Sequence, residues 1–100
     1  MGSRVLVTGH RGLIGPYVVD ELERHGDDVL GFDLTDGLDI RDPVALSTAM
    51  SGCNVVIHLA AADDPMPPEE IVDTNLIGTK NVLDAAVANG VRRVVIASSV

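Results

Sequence analysis

The stretch VTGHRGLIG (Val7 to Gly15) limits the possible folds of this chain more than any other. It sets glycines at every third position, Gly9, Gly12 and Gly15. Just before it, Val5-Leu6-Val7 reads as a strand buried on both faces, as in a parallel sheet. Ile14, Val18 and Leu22 then recur every four residues, which predicts a helix from Gly12 to His25 with those side chains facing the sheet. Pro16 suits its first turn, and Gly26 ends it. A glycine-rich turn between a first strand and a helix is a phosphate site. Bare backbone N–H groups point outward there, and the helix dipole favours an anion. The spacing G-x-x-G-x-x-G differs from the general dinucleotide fingerprint G-x-G-x-x-G. It meets the same needs: a tight turn, close approach of a pyrophosphate and close helix–strand packing. A tight turn that binds nothing would share the pattern.

The alternation continues along the chain. Val29 to Asp33 predicts a second strand, Leu38 to Ile40 a short third, Asn54 to Ala60 a fourth and Val94 to Ala97 a fifth. Asp42-Pro43 reads as an N-cap with proline at the first helical position, opening a helix to about Met50. Pro65 to Pro68 reads as a rigid loop. A helical pattern then runs from Glu69 to Asn89, with Ile71, Val72, Leu76, Val82, Leu83 and Ala86 on one side. Glu69 and Glu70 suit the positive end of its dipole. Strands separated by helices imply right-handed crossovers and a parallel sheet. The expected fold is α/β: a Rossmann-type doubly wound sheet of five strands, order 3-2-1-4-5, in one domain over residues 1–100.

Asp33, at the end of the second strand, is placed to accept hydrogen bonds from both adenosine ribose hydroxyls. It would also repel a 2′-phosphate, which favours NAD over NADP. Arg11 pulls the other way, because a guanidinium between the first two glycines can pair with that phosphate. The alternative is a solvated turn carboxylate and a surface arginine.

Composition narrows the classes. Hydrophobic residues make up 46% and aromatics 2%, so the chain packs a core of Val, Leu, Ile and Ala. The net charge of −8, with no Lys/Arg cluster, repels phosphate backbones and makes nucleic acid and anionic membranes poor partners. No apolar run approaches the roughly 18 residues of a membrane span, and a reducing cytoplasm is the expected location. Met1-Gly2-Ser3 starts like a myristoylation signal, but Leu6 stands where Ser or Thr is needed. Cys53, the only cysteine, reads as a buried core thiol, and no metal site is expected. His58 reads as a packed, hydrogen-bonded histidine, His10 and His25 as turn and helix-end residues.

With these residues in view, the chain resembles the extended short-chain dehydrogenases/reductases, the NAD-dependent epimerase/dehydratase group. The resemblance runs from Val5 to Val100 through ordered motifs. TGHRGLIG resembles T-G-x-x-G-x-x-G, and Phe32-Asp33 the ribose acid. LDIRD (Leu38 to Asp42) resembles the adenine-contacting segment, and VVIHLAA (Val55 to Ala61) the fourth strand along the cofactor. NLIGTKNVLDAA (Asn75 to Ala86) is similar to N-x-x-G-T-x-N-[VL]-L-x-A-A, and VVIASS (Val94 to Ser99) to the strand leading to the catalytic Ser/Thr.

The resemblance implies roles residue by residue. Gly9, Gly12 and Gly15 shape a diphosphate turn, with Leu13 and Ile14 giving backbone contacts. Asp33 holds ribose, Asp39 and Ile40 flank adenine, and Leu59, Ala60 and Ala61 let the cofactor pass over the sheet edge. Asn75 links the fourth-strand loop to the cofactor region, or serves only to tie a loop to a helix. Ser99 is the catalytic hydroxyl, with Ser98 nearer the cofactor backbone.

The family's proton-transfer pair, Tyr-x-x-x-Lys, is absent: the one tyrosine is Tyr17 and the one lysine Lys80. The chain thus reads as the N-terminal cofactor-binding part of an enzyme without its C-terminal substrate half, and no catalysis is expected from it alone. The parent is an epimerase/dehydratase acting on a sugar or nucleotide sugar, or a sugar dehydrogenase, since PPEEIVDTN (Pro67 to Asn75) is somewhat similar to uronate dehydrogenases. A stand-alone NAD-binding or sensing module is the rival reading. The unpaired edge of the fifth strand invites association, with a homodimer as candidate assembly.

Overall fold

The structure, a computed structural model, describes residues 2–60 and 67–97. Its centre is β1 (Arg4–Thr8), whose Val5, Leu6 and Val7 are buried on both faces of the sheet. Parallel to it lie β2 (Asp28–Phe32) on one side and β3 (Val55–His58) on the other, with β4 (Arg93–Ile96) beyond β3. The order is β2-β1-β3-β4. Register aligns Thr8 with Phe32 and with His58, so three strands end at one level. A crevice at that level is the usual ligand position in an open parallel sheet.

Three helices cover the sheet: α1 (Gly15–Arg24), α2 (Pro43–Met50) and α3 (Pro68–Ala88). Leu6, Phe32 and Val56 meet Leu46 and Met50 of α2 and Val82, Ala85 and Ala86 of α3 in one core, with the Cys53 thiol buried beside them. Leu22 of α1 lies over the other face, with Val5, Val55 and Ile57. The Asp42 carboxylate caps α2 by accepting from the Val44 and Ala45 amides at 3.1 and 3.2 Å. Among the described residues no helix is long and apolar enough to cross a membrane.

Three expectations need correction. Leu38 to Ile40 forms no strand, so the sheet has four strands among the described residues. A 3-10 turn (Leu34–Asp36) follows β2 and closes at Gly37, whose φ is +79°. Only four residues then remain before the Asp42 cap. The Leu38 amide donates to the Asp33 carbonyl, and the Ile40 carbonyl accepts from Asn81 Nδ2 at 3.1 Å. Backbone groups that a ladder would use are thus satisfied elsewhere. With that segment removed, the expected order of the other four strands is the one observed.

The second correction concerns α1, which starts at Gly15 rather than Gly12. Ile14 is its N-cap and is half exposed, not packed on the sheet. The third concerns α3. Its buried stripe is Thr74, Gly78, Val82, Ala85 and Ala86, whereas Val72, Leu76 and Leu83 are exposed. The small residues let the helix approach closely: a Cβ at Gly78 would overlap the Ile40 side chain. The expected loop at Pro65 to Pro68 lies partly outside the described residues, and Pro67 caps α3.

Candidate functional site

The three glycines of the first turn are there for three different reasons. Gly9 has φ +72°, and its amide donates to the Phe32 carbonyl at 2.7 Å, tying the turn to the end of β2. A Cβ on Gly9 would lie 2.7 Å from the Ala60 amide nitrogen and 2.8 Å from Ala60 Cα. A Cβ on Gly15 would enter the carbonyls of Gly9 and His10. Gly12 differs. Its φ is not positive, and among the described residues an added Cβ would meet only the Gly9 carbonyl oxygen, at 3.2 Å. The packing of the described residues therefore does not explain a bare backbone at this exposed position.

Beside Gly12 the N-terminus of α1 is open. Ile14 provides no side-chain cap, and the amides of Leu13, Ile14 and Gly15 have no acceptor among the described residues. Unsatisfied donors at a helix N-terminus, with the dipole behind them, form an anion site. They open onto a cleft of about 490 Å3 across the ends of the strands. The turn supplies Gly9, Gly12, Leu13, Ile14 and Gly15 to its lining; Asp33 comes from the end of β2, and Leu59 and Ala60 from the end of β3. The sequence reading missed one lining residue, Leu34, although an exposed leucine directly after the acid was a usable signal.

Asp33 is already held in place. Its Oδ1 accepts from the Thr35 amide at 2.9 Å and the Thr35 hydroxyl at 2.6 Å; its Oδ2 accepts from the Arg11 amide at 3.0 Å. Burial pushes the Asp33 carboxyl up, but the bonds from Thr35 and Arg11 outweigh it, and the net direction is downward. The group stays ionised near neutral pH. A carboxylate offers about four lone-pair sites, so the three bonds leave one, on Oδ2. One further donor fits that site; a second requires the Thr35 hydroxyl to turn away. Thr35 was not foreseen, though Asp-x-Thr is a common local turn signal.

Arg11 lines a different groove, with His10, Pro16 and Val19 along the back of α1. Its Nε donates to both Asp36 oxygens, at 2.8 and 3.0 Å, which holds the guanidinium pKa above its ordinary value. His10 Nε2 lies 3.6 Å from the same carboxylate, and its Nδ1 is buried without a partner among the described residues.

Of the remaining expected site residues, Asp39, Ile40 and Asn75 are not in the lining of the cleft. Asp39 is paired with Arg41 at 2.8 Å, which lowers its carboxyl pKa, and Ile40 is buried in the core at 7% exposure. Asn75 stands one turn before Thr79 on α3 and is half buried. Ala61, Ser98 and Ser99 lie outside the described residues. His58 is buried between Thr8 and Thr79 rather than in the cleft. No group of three His, Cys, Asp or Glu among the described residues could hold a metal.

This geometry, an open helix N-terminus after β1 and an ionised acid after β2, is accompanied by a sequence match to a model of the NAD dependent epimerase/dehydratase family over residues 5–100. The chain belongs to that family. L-arabinose 1-dehydrogenase (NAD(P)(+)) from Haloferax volcanii is 35% identical, over 97% of this chain and 41% of that enzyme. A crystal structure of a short-chain dehydrogenase/reductase superfamily protein from Agrobacterium tumefaciens with bound NAD superimposes with a TM-score of 0.85 at 40% identity. It is covered to 32% of its length by 96% of this chain. UDP-glucose 4-epimerase from Thermus thermophilus, in complex with NAD, gives 0.81 at 30% identity, over 96% of this chain and 37% of that one. The epimerase/dehydratase fold is thus shared across well under half the length of these relatives.

Proposed function

We propose that this chain is the NAD-binding portion of a sugar or nucleotide-sugar dehydrogenase, epimerase or dehydratase. The observation that carries the reading is Gly12, a bare backbone position that the packing of the described residues does not require, beside three amides without an acceptor among those residues and an ionised Asp33. The amides of Leu13, Ile14 and Gly15 take the charge of the diphosphate, and the absent Gly12 side chain leaves room for its close approach. Asp33 accepts from ribose and disfavours a 2′-phosphate. Leu59 and Ala60, held against Gly9, form the opposite wall. When bound, the nicotinamide supplies a hydride acceptor or donor. The names of the relatives support the sugar class, since one acts on L-arabinose and another on UDP-glucose.

The reading does not assign turnover to the chain alone. Tyr17 is exposed on α1, and Lys80 pairs with Asp84 on α3 at 2.7 Å. Neither has the other four residues on, so no tyrosine–lysine pair is available to move a substrate proton. General acid–base groups of this kind contribute roughly 10²–10⁴-fold.

Calorimetric titration tests the binding. NAD is expected to bind more tightly than NADP, and Gly12→Val to lose both. Tighter NADP binding, or an unaffected Gly12→Val protein, overturns the reading. NAD reduction across a panel of aldoses, sugar acids and nucleotide sugars is expected to stay at background; turnover would overturn the non-catalytic assignment.

A further inference from the structure

Arg11 stands next to the position where ribose would meet Asp33, because its own amide donates to Asp33 Oδ2 at 3.0 Å. From there a guanidinium could reach a phosphate on the ribose 2′ oxygen. Instead, the side chain turns onto Asp36, with Nε 2.8 and 3.0 Å from the two carboxylate oxygens. Asp36 is fixed for this contact. It ends the Leu34–Asp36 turn, its amide donates to the Asp33 carbonyl at 2.9 Å, and Gly37 closes the turn in the left-handed region. His10 Nε2 also lies 3.6 Å from Asp36 Oδ2. The His10 ring rests against Gly31 of β2, where any Cβ would overlap it. One short turn thus carries both the ribose acid and a second acid, and the second holds the Arg11 cation beside the ribose position.

We propose that Asp36 is a specificity-determining residue of the nucleotide site: it holds the Arg11 guanidinium away from the 2′-phosphate position and so biases the site toward NAD. The inference rests on the nucleotide reading above and adds to it a residue outside the cleft. Without Asp36, Arg11 would be a phosphate anchor of the planar, two-pronged kind that arginine provides. With it, the guanidinium's charge is already compensated. An NADP molecule must then break the pair before the guanidinium can meet its phosphate. Both ends of the pair are partly exposed, so the bias is modest and salt-sensitive.

The test is a double-mutant cycle on the full chain, titrated calorimetrically with NAD and with NADP at low and high salt. The readout is the ratio Kd(NADP)/Kd(NAD). Asp36→Asn is expected to lower it by about five- to tenfold, the scale of a freed charge-assisted phosphate contact. Asp36→Ser is expected to act in the same direction, which guards against a turn perturbed by asparagine. Arg11→Ala in the parent is expected to change the ratio by less than about twofold, since its guanidinium is already taken. Arg11→Ala added to Asp36→Asn is expected to remove the gain. An unchanged ratio in both Asp36 variants overturns the inference. So does a gain that survives in the double variant, which would mean simple repulsion by Asp36. A parent chain that binds neither dinucleotide overturns the nucleotide site itself, a result distinct from either.

Discussion

The Thr8 hydroxyl lies 2.6 Å from His58 Nδ1, and its neighbours fix the direction of that bond. The Thr8 oxygen accepts from the Leu59 amide at 3.1 Å and the Ala60 amide at 3.2 Å. Its own hydrogen therefore goes to Nδ1, the His58 proton sits on Nε2, and Nε2 donates to the Thr79 hydroxyl at 3.2 Å. The last residue of β1 thus fixes the segment after β3 that walls the cleft, and connects it to α3.

Thr8→Val should expose the value of this arrangement. Valine fills the space but strands the Ala60 amide and the Nδ1 lone pair, while the Leu59 amide keeps its bond to the Thr8 carbonyl at 3.0 Å. A loss of about 1–3 kcal/mol in unfolding free energy is expected, the cost of leaving buried donors unsatisfied. Urea denaturation measures it, and a Thr8→Val protein as stable as the parent would show that these bonds contribute nothing net.

The same histidine gives a pH dependence. Burial pushes the His58 pKa below its ordinary 6.5. Well above 6.5 neither the folded nor the unfolded chain is charged there. As pH falls through 6.5, the unfolded chain takes up a proton that the folded chain resists, so stability drops until the folded pKa is reached. His25 works in the opposite sense. The Glu21 carbonyl and carboxylate raise its pKa, so its contribution is present below 6.5 and fades as pH rises through the folded value. His58→Asn separates the two, since it removes only the first. The acid-side fall in urea midpoint is expected to be shallower in the variant, and identical slopes would refute the assignment.

The glycines of the turn should split into two groups. Gly9→Ala and Gly15→Ala meet backbone atoms of their own fold, and Gly9 also needs positive φ, which costs an L-residue about 1–2 kcal/mol. Both substitutions are expected to lower the thermal midpoint. Among the described residues Gly12→Ala has only one tight contact, and its stability is expected to stay within about 0.5–1 kcal/mol of the parent while nucleotide affinity falls. Equal destabilisation by all three would show that Gly12 is a folding residue after all.

Gly78→Ala tests the close approach of α3. Alanine improves helix propensity by about 1 kcal/mol, but its Cβ overlaps the buried Ile40 side chain. Overpacking of this kind costs typically about 1–3 kcal/mol, so a net loss is expected from denaturation curves. Pairing it with Ile40→Val should recover part of the loss, because the shorter side chain vacates the contested space.

What the sequence determined by itself is local. The β1 run, the glycine turn, the Asp42-Pro43 cap and the glycine at the end of α1 each depend on φ preferences, caps or periodicity among residues a few positions apart. In the lining of the cleft, the glycine turn and Asp33 were legible from the strand–turn–helix order, whereas Leu13, Ile14, Leu59 and Ala60 were expected only from the family resemblance. The tertiary structure decided the rest. Leu38 to Ile40 has strand-like composition, yet Asn81 from a distant helix takes the Ile40 carbonyl and Gly78 makes room for its side chain. On α3 the larger apolar residues suggested the buried face, but Ile40 and the sheet lie so close that the stripe through Gly78 and Ala85 packs instead. Arg11 reads as a phosphate anchor, with a surface charge as the alternative, until Asp36 is seen at 2.8 Å. A helix face or an ion pair is chosen by competition among groups distant along the chain, and that competition is resolved only when the folded backbone brings them within reach.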